Sequence, residues 1–377
     1  MRIVHIITGL RSEGTQNVLF RLLRAQDSSR WNNIVISLTE KGVIGAKLEE
    51  QGIEVHSLGM RPGNLSVRRF QKLVGLLRSK EPDIVQTWLY HANLVGGIAA
   101  KLAGAGPVIW NLRHSELDPG IDKASTIAIA RVSRLLSSIL PAKIICCSKA
   151  TYETHSDLGY APSRMVVIPN GFDIEGFQHV PGSSHALRTT LGIPMEHKLI
   201  GMAARFHPQK DHQTFVLAAR NLINRHPDVD FVFCGQDMDS ANAALVSMIN
   251  AVGLREHFHL MGLQTDMPKM YSAWDVSTLS SSSGEGFPNV VAESMACGAL
   301  MVTTDVGDAA EIVGSTGWVV PPGDVEALVG AWLEALAMGA SDKAERIRHA
   351  RERIQTKYSL HLMVQRYEAL YEEALSA

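Results

Sequence analysis

At 377 residues the chain is too long for one ordinary core and suits two domains of typical size. Hydrophobic residues make up 46% and charged residues 20%, which excludes a disordered chain, and no apolar run approaches the ~20 residues of a membrane-spanning helix. The net charge of −2 hides an asymmetry: residues 1–165 carry 21 Lys and Arg against 13 Asp and Glu, and residues 166–377 carry 15 against 25. The first half therefore suits an anionic partner such as a membrane surface or a phosphate-bearing acceptor, unless it is simply well solvated.

The chain opens with MRIVHIITGL, which has one basic residue and no small-residue cleavage site after it, and reads as a first strand and not a signal peptide. Further strand-like runs follow at Asn33–Leu38, Val55–Leu58, Ile84–Trp88, Val108–Leu112 and Ile144–Ser148. The second half adds Leu199–Ala204, Asp230–Cys234, Phe258–Met261, Val276–Ser280, Leu300–Thr303 and Trp318–Val320. These runs are short, rich in Val, Ile or Leu, and separated by helix-length segments. That alternation predicts α/β architecture with parallel sheets covered on both faces. Between Pro162 and Pro194 lie four prolines and the stretch Pro181-Gly-Ser-Ser184, which read as a linker. The expected organisation is a Rossmann-like N-terminal domain at 1–165, a linker at 166–190 and a second Rossmann-like domain at 191–355. A C-terminal helix at 356–377 ends the chain. A nucleotide ligand is expected at the carboxyl ends of the strands, in a cleft between the two units.

Two basic amphipathic stretches stand out in the first half. Arg61–Lys80 sets Arg61, Arg68, Arg69, Lys72, Arg78 and Lys80 among Leu65, Phe70, Leu73, Leu76 and Leu77, and Ser125–Leu140 sets Arg131 and Arg134 among six aliphatic residues. Helices of this kind can lie on an anionic bilayer, although helices that bury one apolar face read the same way. The four cysteines, Cys146, Cys147, Cys234 and Cys297, lack metal-ligand spacing and read as buried, reduced thiols. Two Asp-x-Asp pairs, Asp228–Asp230 and Asp237–Asp239, are about what chance supplies, and no metal is expected.

The strongest chemical signal is Ser280–Val302, SSSSGEGFPNVVAESMACGALMV. It turns through Gly284 and Gly286, then opens a helix with Pro288 near the first helical position. Glu285 stands in the loop and Glu293 about two turns inside the helix. The backbone N–H groups of Asn289 and Val290, at the helix start, would point toward an anion. Donors for a diphosphate and acceptors for hydroxyls thus converge, which from the residues alone is a polyol-phosphate site.

This segment resembles the E-x7-E signature of the retaining GT-B glycosyltransferases of family four (glycosyltransferase group 1), including the GF(P) turn and the E-S-M-A-C-G run. The resemblance extends over the whole chain. Arg205 and Lys210, in AARFHPQKDH, resemble the family's basic pair, and Asn170-Gly171-Phe172-Asp173 its PNGxD element. His114, in WNLRHSE, matches its strand-end histidine, and Glu311 and the Pro322-Gly323-Asp324 turn also fall in place. One departure is the loop after the first strand, GLRSEGTQN, where Gly14, with Gly9, replaces the family's Gly-Gly-Ala-Glu-like pattern.

The resemblance implies a GT-B fold, a C-terminal helix at 356–377 that crosses back to the N-terminal domain, and transfer of a sugar from a nucleotide diphosphate, with a UDP-sugar as the first-choice donor, and no cofactor or metal. His114, Arg205, Lys210 and Glu285 would be catalytic. Gly14, Gly286, Phe287, Pro288, Asn289, Val290 and Glu293 would bind the donor. Arg205 and Lys210 would stabilise the departing diphosphate, Glu285 would hold sugar hydroxyls, Glu293 the ribose, and His114 the donor sugar. No carboxylate is an obvious covalent nucleophile, which disfavours a glycosidase scheme. Expected partners are a glycan or polyprenyl-diphosphate-linked acceptor in cell-surface polysaccharide assembly, and an anionic membrane touched peripherally from the cytoplasm. A noncatalytic sugar-binding relative is the alternative. A dehydrogenase or epimerase would need G-x-G-x-x-G after the first strand, which Gly9–Gly14 does not supply, and nucleic-acid binding has no motif to support it.

Overall fold

The computed structural model describes residues 1–11, 14–61, 66–115, 117, 120 and 123–376. These residues divide into two compact units: unit 1 comprises residues 1–171 and 360–377, and unit 2 residues 172–359.

Unit 1 alternates strand and helix in the order β1 (Arg2–Ile7), α1 (Gly14–Ala25), β2 (Asn32–Ser37), α2 (Gly42–Glu50), β3 (Glu54–Ser57) and α3 (Val67–Lys80). It continues with β4 (Ile84–Trp88), α4 (Tyr90–Ala103), β5 (Val108–Leu112), α5 (Ala124–Leu136), β6 (Lys143–Cys146), α6 (Lys149–Asp157) and β7 (Met165–Val167). The seven strands form one parallel sheet in the order β3-β2-β1-β4-β5-β6-β7. Helices cover both faces, so the central strands bury every residue; β4 and β5 have no exposed position. That is why they lack the polar–apolar alternation of a half-exposed strand, and why even their polar residues, Gln86, Thr87 and Asn111, are buried. Val18, Leu19, Leu22 and Leu23 of α1 pack on one face, at the spacing that lines a single helical stripe.

Unit 2 starts with α7 (Ser183–Leu191), β8 (Lys198–Ala203), α8 (His212–Ile223), β9 (Val229–Cys234), α9 (Ala243–Ala251) and β10 (Phe258–Leu260). It continues with α10 (Met267–Ala273), β11 (Val276–Leu279), α11 (Asn289–Ala296), β12 (Leu300–Thr304), α12 (Ala309–Val313), β13 (Trp318–Val320), α13 (Val325–Leu336) and α14 (Ala340–Tyr358). Its six strands are all parallel, in the order β10-β9-β8-β11-β12-β13. Phe215, Phe231, Phe233, Phe258 and Trp332 form its aromatic core, each fully or almost fully buried. The Trp332 indole N–H finds Thr278 Oγ1 at 2.9 Å, so the largest of these side chains leaves its polar atom satisfied.

Residues 166–190, expected as a separate linker, are instead shared between the units. Val166 and Val167 belong to β7, a strand the sequence analysis did not pick out because it is only three residues long and follows a proline-bounded turn. Residues 183–190 belong to α7 of unit 2. The last helix, α15 (Leu360–Ser376), belongs to unit 1. There Tyr367 stacks on Trp88 at 6.2 Å and Tyr371 meets the edge of Trp31 at 5.4 Å, with Met363, Val364 and Leu370 buried beside them. Burying such side chains is worth about 1.5–3 kcal/mol each, so α15 is integral to the core of unit 1.

Of the two basic stretches, α3 turns Leu73 and Leu77 into the core, the ordinary fate of an amphipathic helix; Leu65 of that stretch lies outside the described residues. By contrast, α5 buries only Ala130 and Ser133, and leaves Leu135 and, just beyond the helix, Ile139 each 65% exposed. All four cysteines are buried and without disulfides, and burial pushes the Cys234 and Cys297 thiols up to about 12, so neither ionises near neutrality. No helix among the described residues is long and apolar enough to cross a membrane.

Candidate active site

In unit 2 the site residues gather where β8 and β11 end. The chain leaves β8 through Arg205, makes a short turn at Pro208–Lys210, and enters α8 after Asp211, whose side chain caps the helix by accepting from Thr214 N at 3.1 Å. The chain leaves β11 through Ser280–Pro288 and enters α11. Hydrogen bonds stitch these two loops together. Ser280 Oγ donates to the Lys210 carbonyl at 2.9 Å, and Ser282 N donates to the Gln209 carbonyl at 2.8 Å. Gly284, with φ +73°, sits so close that a Cβ there would stand 2.2 Å from the Gln209 amide nitrogen. Only glycine combines that backbone conformation with that approach. Gly307 presses on the loop from β12, where a Cβ would lie 1.9 Å from the Glu285 carbonyl oxygen.

This close packing places the Lys210 ammonium against Glu285 Oε1, which also accepts from Ser281 Oγ at 2.7 Å. Burial by itself would raise the Glu285 carboxyl, but Lys210, Ser281 and the charge of Arg205 outweigh it and hold the group below the usual carboxylate range. Glu285 is therefore ionised at neutral pH. Three of the four residues expected to be catalytic, Arg205, Lys210 and Glu285, thus come together within one unit. Arg205 itself is exposed.

The expected donor-binding residues continue the same loop. Gly286 accepts at its carbonyl from Asp308 N at 3.1 Å. Phe287 is buried between Phe172, at 5.9 Å, and Tyr358, at 5.3 Å, and anchors the loop to the rest of unit 2. Pro288 is extended and caps α11, so the helix begins at Asn289, with Val290 second. Glu293 is the fifth residue of α11, about one turn in and not two. It is buried, and its Oε2 accepts from the phenol of Tyr271 at 3.2 Å. Sequence reasoning missed Tyr271; it lies in α10, 22 residues before Glu293, and nothing local marks it. Glu311 lies in α12, with Arg353 3.9 Å from its carboxylate, and Asp324 caps α13.

In unit 1, His114 follows the end of β5 by two residues and is partly buried against Tyr90, with ring centroids 6.3 Å apart and planes 16° from parallel. His91 is the second residue of α4, and burial, with Lys123 nearby, pulls its imidazole below the usual range. Gly14 opens α1 and is exposed; Ser12 and Glu13, the centre of the departing loop, lie outside the described residues. Asn170, from the PNGxD element, takes a hydrogen bond from Arg113, whose other terminal nitrogen donates to the Tyr367 hydroxyl at 2.8 Å.

The two Asp-x-Asp pairs have different settings, Asp237–Asp239 following the end of β9. Asp230 sits near the start of β9, away from the loops just described, and is held by His197 at 2.7 Å and His259 at 2.8 Å. Asp239 caps its own turn through Ala241 N. Among the described residues no group of three His, Cys, Asp or Glu side chains is arranged to hold a metal ion.

Two parallel α/β units, with a Lys–Glu pair and a helix start at the strand ends of the second, have the architecture of the GT-B fold. The comparisons with known proteins agree. Residues 197–338 match the family described as Glycosyl transferases group 1, and residues 12–175 match Glycosyltransferase Family 4. The chain belongs to the group 1 glycosyltransferases. It is similar to the UDP-Gal:alpha-D-GlcNAc-diphosphoundecaprenol alpha-1,3-galactosyltransferase of Escherichia coli, 25% identical over 306 residues covering 79% of this chain and 77% of that one. It is 30% identical over 208 residues to the D-inositol 3-phosphate glycosyltransferase of Corynebacterium urealyticum, covering 52% of this chain and 46% of the relative. Among solved structures it superposes on Anabaena HepE in complex with UDP-glucose with a TM-score of 0.85, at 22% identity, covering 100% of this chain and 99% of that one.

Proposed function

We propose that the chain transfers a sugar from a UDP-sugar to a glycan or lipid-linked acceptor, with retention of anomeric configuration and without a metal ion. The observation that carries this reading is the Lys210–Glu285–Ser281 cluster beside the start of α11. Breaking the glycosidic phosphate bond develops positive charge on the sugar and negative charge on the departing diphosphate. Lys210, Arg205 and the N–H groups at the helix start supply fixed positive potential for the second, which is the role a metal would otherwise fill. Glu285 accepts hydrogen bonds from sugar hydroxyls, and Glu293 from the ribose. His114 contacts the donor sugar.

Before the donor binds, Lys210 and Glu285 neutralise each other. Donor binding inserts phosphate oxygens on the lysine side and hydroxyls on the carboxylate side, exchanging one buried charge-assisted contact for two. Family analogy supports same-face substitution, in which the leaving phosphate takes the acceptor's proton. The galactosyltransferase of Escherichia coli, whose name gives a diphosphoundecaprenol-linked sugar as acceptor, supports a lipid-linked acceptor in cell-surface polysaccharide assembly here. The exposed Leu135 and Ile139 beside Arg131 and Arg134 support peripheral contact with an anionic membrane from the cytoplasmic side.

A thermal-shift panel of UDP, GDP, ADP and their sugars, with and without EDTA, tests the donor site. A ligand that binds only the folded chain raises the melting temperature as its concentration passes the dissociation constant. The expected result is a UDP-selective, EDTA-insensitive rise that Glu293→Ala abolishes. No rise with any nucleotide at millimolar concentration overturns the reading in favour of a noncatalytic relative. The anomeric configuration of the product, read by proton NMR, tests retention.

A further inference from the structure

We propose that Tyr90 and His155 form a positioning chain that fixes the imidazole of His114; the proposal rests on the reading that His114 contacts the donor sugar.

The chain of contacts begins at the start of α6. Ser148 caps that helix by accepting from Thr151 N at 2.9 Å, which settles where the Thr151 carbonyl points. His155 Nδ1 lies 2.7 Å from that carbonyl. A carbonyl oxygen only accepts, so Nδ1 carries the hydrogen. His155 is fully buried, and burial pulls its imidazole down to about 4, the Thr151 contact opposing and the neighbouring His114 adding to the effect. The ring is therefore neutral, and its Nε2 is an acceptor. The Tyr90 phenol, 2.7 Å from Nε2, must donate to it. Each link has one permitted direction, and the tautomer at one end dictates the hydroxyl orientation at the other.

The rings are held as firmly as the protons. Tyr160 meets His155 edge-on at 5.0 Å and is itself tied to the Ala130 carbonyl at 2.9 Å. Tyr90, 4% exposed, lies 31° from the plane of His155 and 16° from that of His114. Its position along the chain is imposed by Leu89, which has φ 74° and ψ 155°, a conformation that glycine alone adopts readily. A strained residue between the end of β4 and the start of α4 thus delivers the ring on which His114 rests. Apolar side chains would fill this space without a defined tautomer. A histidine and a tyrosine in fixed hydrogen-bond order do more than fill it: they hold one ring face at one angle beside the strand end where His114 emerges.

Four variants decide between a positioning role and packing. Tyr90→Phe keeps the ring and removes the donor. His155→Phe removes the acceptor, and His155→Gln puts an amide oxygen back within reach of the Tyr90 hydroxyl. Transfer kinetics, UDP thermal shifts and the ring-proton NMR signals of His114 are measured for each, alongside His114→Ala. We expect Tyr90→Phe and His155→Phe to lower kcat about tenfold, the loss of one net hydrogen bond, with UDP binding unchanged. His155→Gln should recover part of that loss, and the His114 resonances should move in Tyr90→Phe. In a His114→Ala background Tyr90→Phe should cost nothing further, because the chain acts only through His114. Multiplied losses in the double variant, or unmoved His114 resonances with full activity in Tyr90→Phe, would overturn the positioning chain while leaving His114 in its role. Full activity in His114→Ala itself would overturn the underlying role of His114, and the chain with it.

Discussion

The two units hold their site residues by opposite means. In unit 2 the holding is ionic and local: Lys210 and Glu285 pair, Ser281 supports the carboxylate, and two glycines let the loops approach closely, Gly284 to the Gln209 side chain and Gly307 to the Glu285 backbone. In unit 1 it is neutral and extended, with His114 beside a chain of ring contacts that runs through Tyr90 and His155 to Tyr160. On the proposed function, a diphosphate is the same in every nucleotide sugar, so its platform can be built from fixed charges. The difference predicts that changes in unit 2 act on nucleotide affinity as well as rate, whereas changes in the ring stack act on rate alone.

The largest effect is expected at Glu285. Glu285→Ala should lower transfer by about two to three orders of magnitude, the cost of removing one preorganised polar group at a reacting centre. UDP should still raise the melting temperature of this variant; a variant that transfers normally would remove Glu285 from the chemistry. Lys210→Met should come next, weakening both transfer and UDP binding. It also changes the response to acid. Because Glu285 titrates below its usual value of about 4.3, its pairing contributes stability above that pH and loses it as the pH falls toward the lowered folded value. Lys210→Met removes the main cause of the lowering, so its melting temperature should fall less than that of the parent between pH 6 and about pH 3.5. An equal fall in both would show that the pair does not set the titration. The smallest effect is expected at Tyr271. Tyr271→Phe frees one oxygen of Glu293 and should weaken UDP three- to tenfold, about the worth of one hydrogen bond, with kcat unchanged. Unchanged UDP affinity would blur the division between the units.

Glu285, the turn and Glu293 fall within nine residues, so their types and spacing could be read together as a polyol-phosphate site. Arg205 and Lys210 stand out only through the family resemblance, and folding closes the 75 residues between Lys210 and Glu285. The strands were equally plain: Ile84–Trp88, Val108–Leu112 and Trp318–Val320 have the observed bounds, because β-branched and aromatic residues cluster there between turn signals. Three-residue β7 was hidden among prolines and took the expected linker with it. What the sequence could not show is distance closed by folding. Tyr271 reaches Glu293 and His155 reaches Tyr90 across 22 and 65 residues, and each looks like an ordinary core residue in the sequence.

The return of α15 to unit 1 bears on how the chain is made. Synthesis runs from the N-terminus, so β1 and its sheet emerge first, yet Tyr367 and Tyr371, which close over Trp88 and Trp31, emerge last. Unit 2, continuous from 172 to 359, is complete before unit 1 can be. The first of the two units to leave the ribosome is therefore the second that can finish folding, with the face over Trp88 and Trp31 uncovered until α15 arrives.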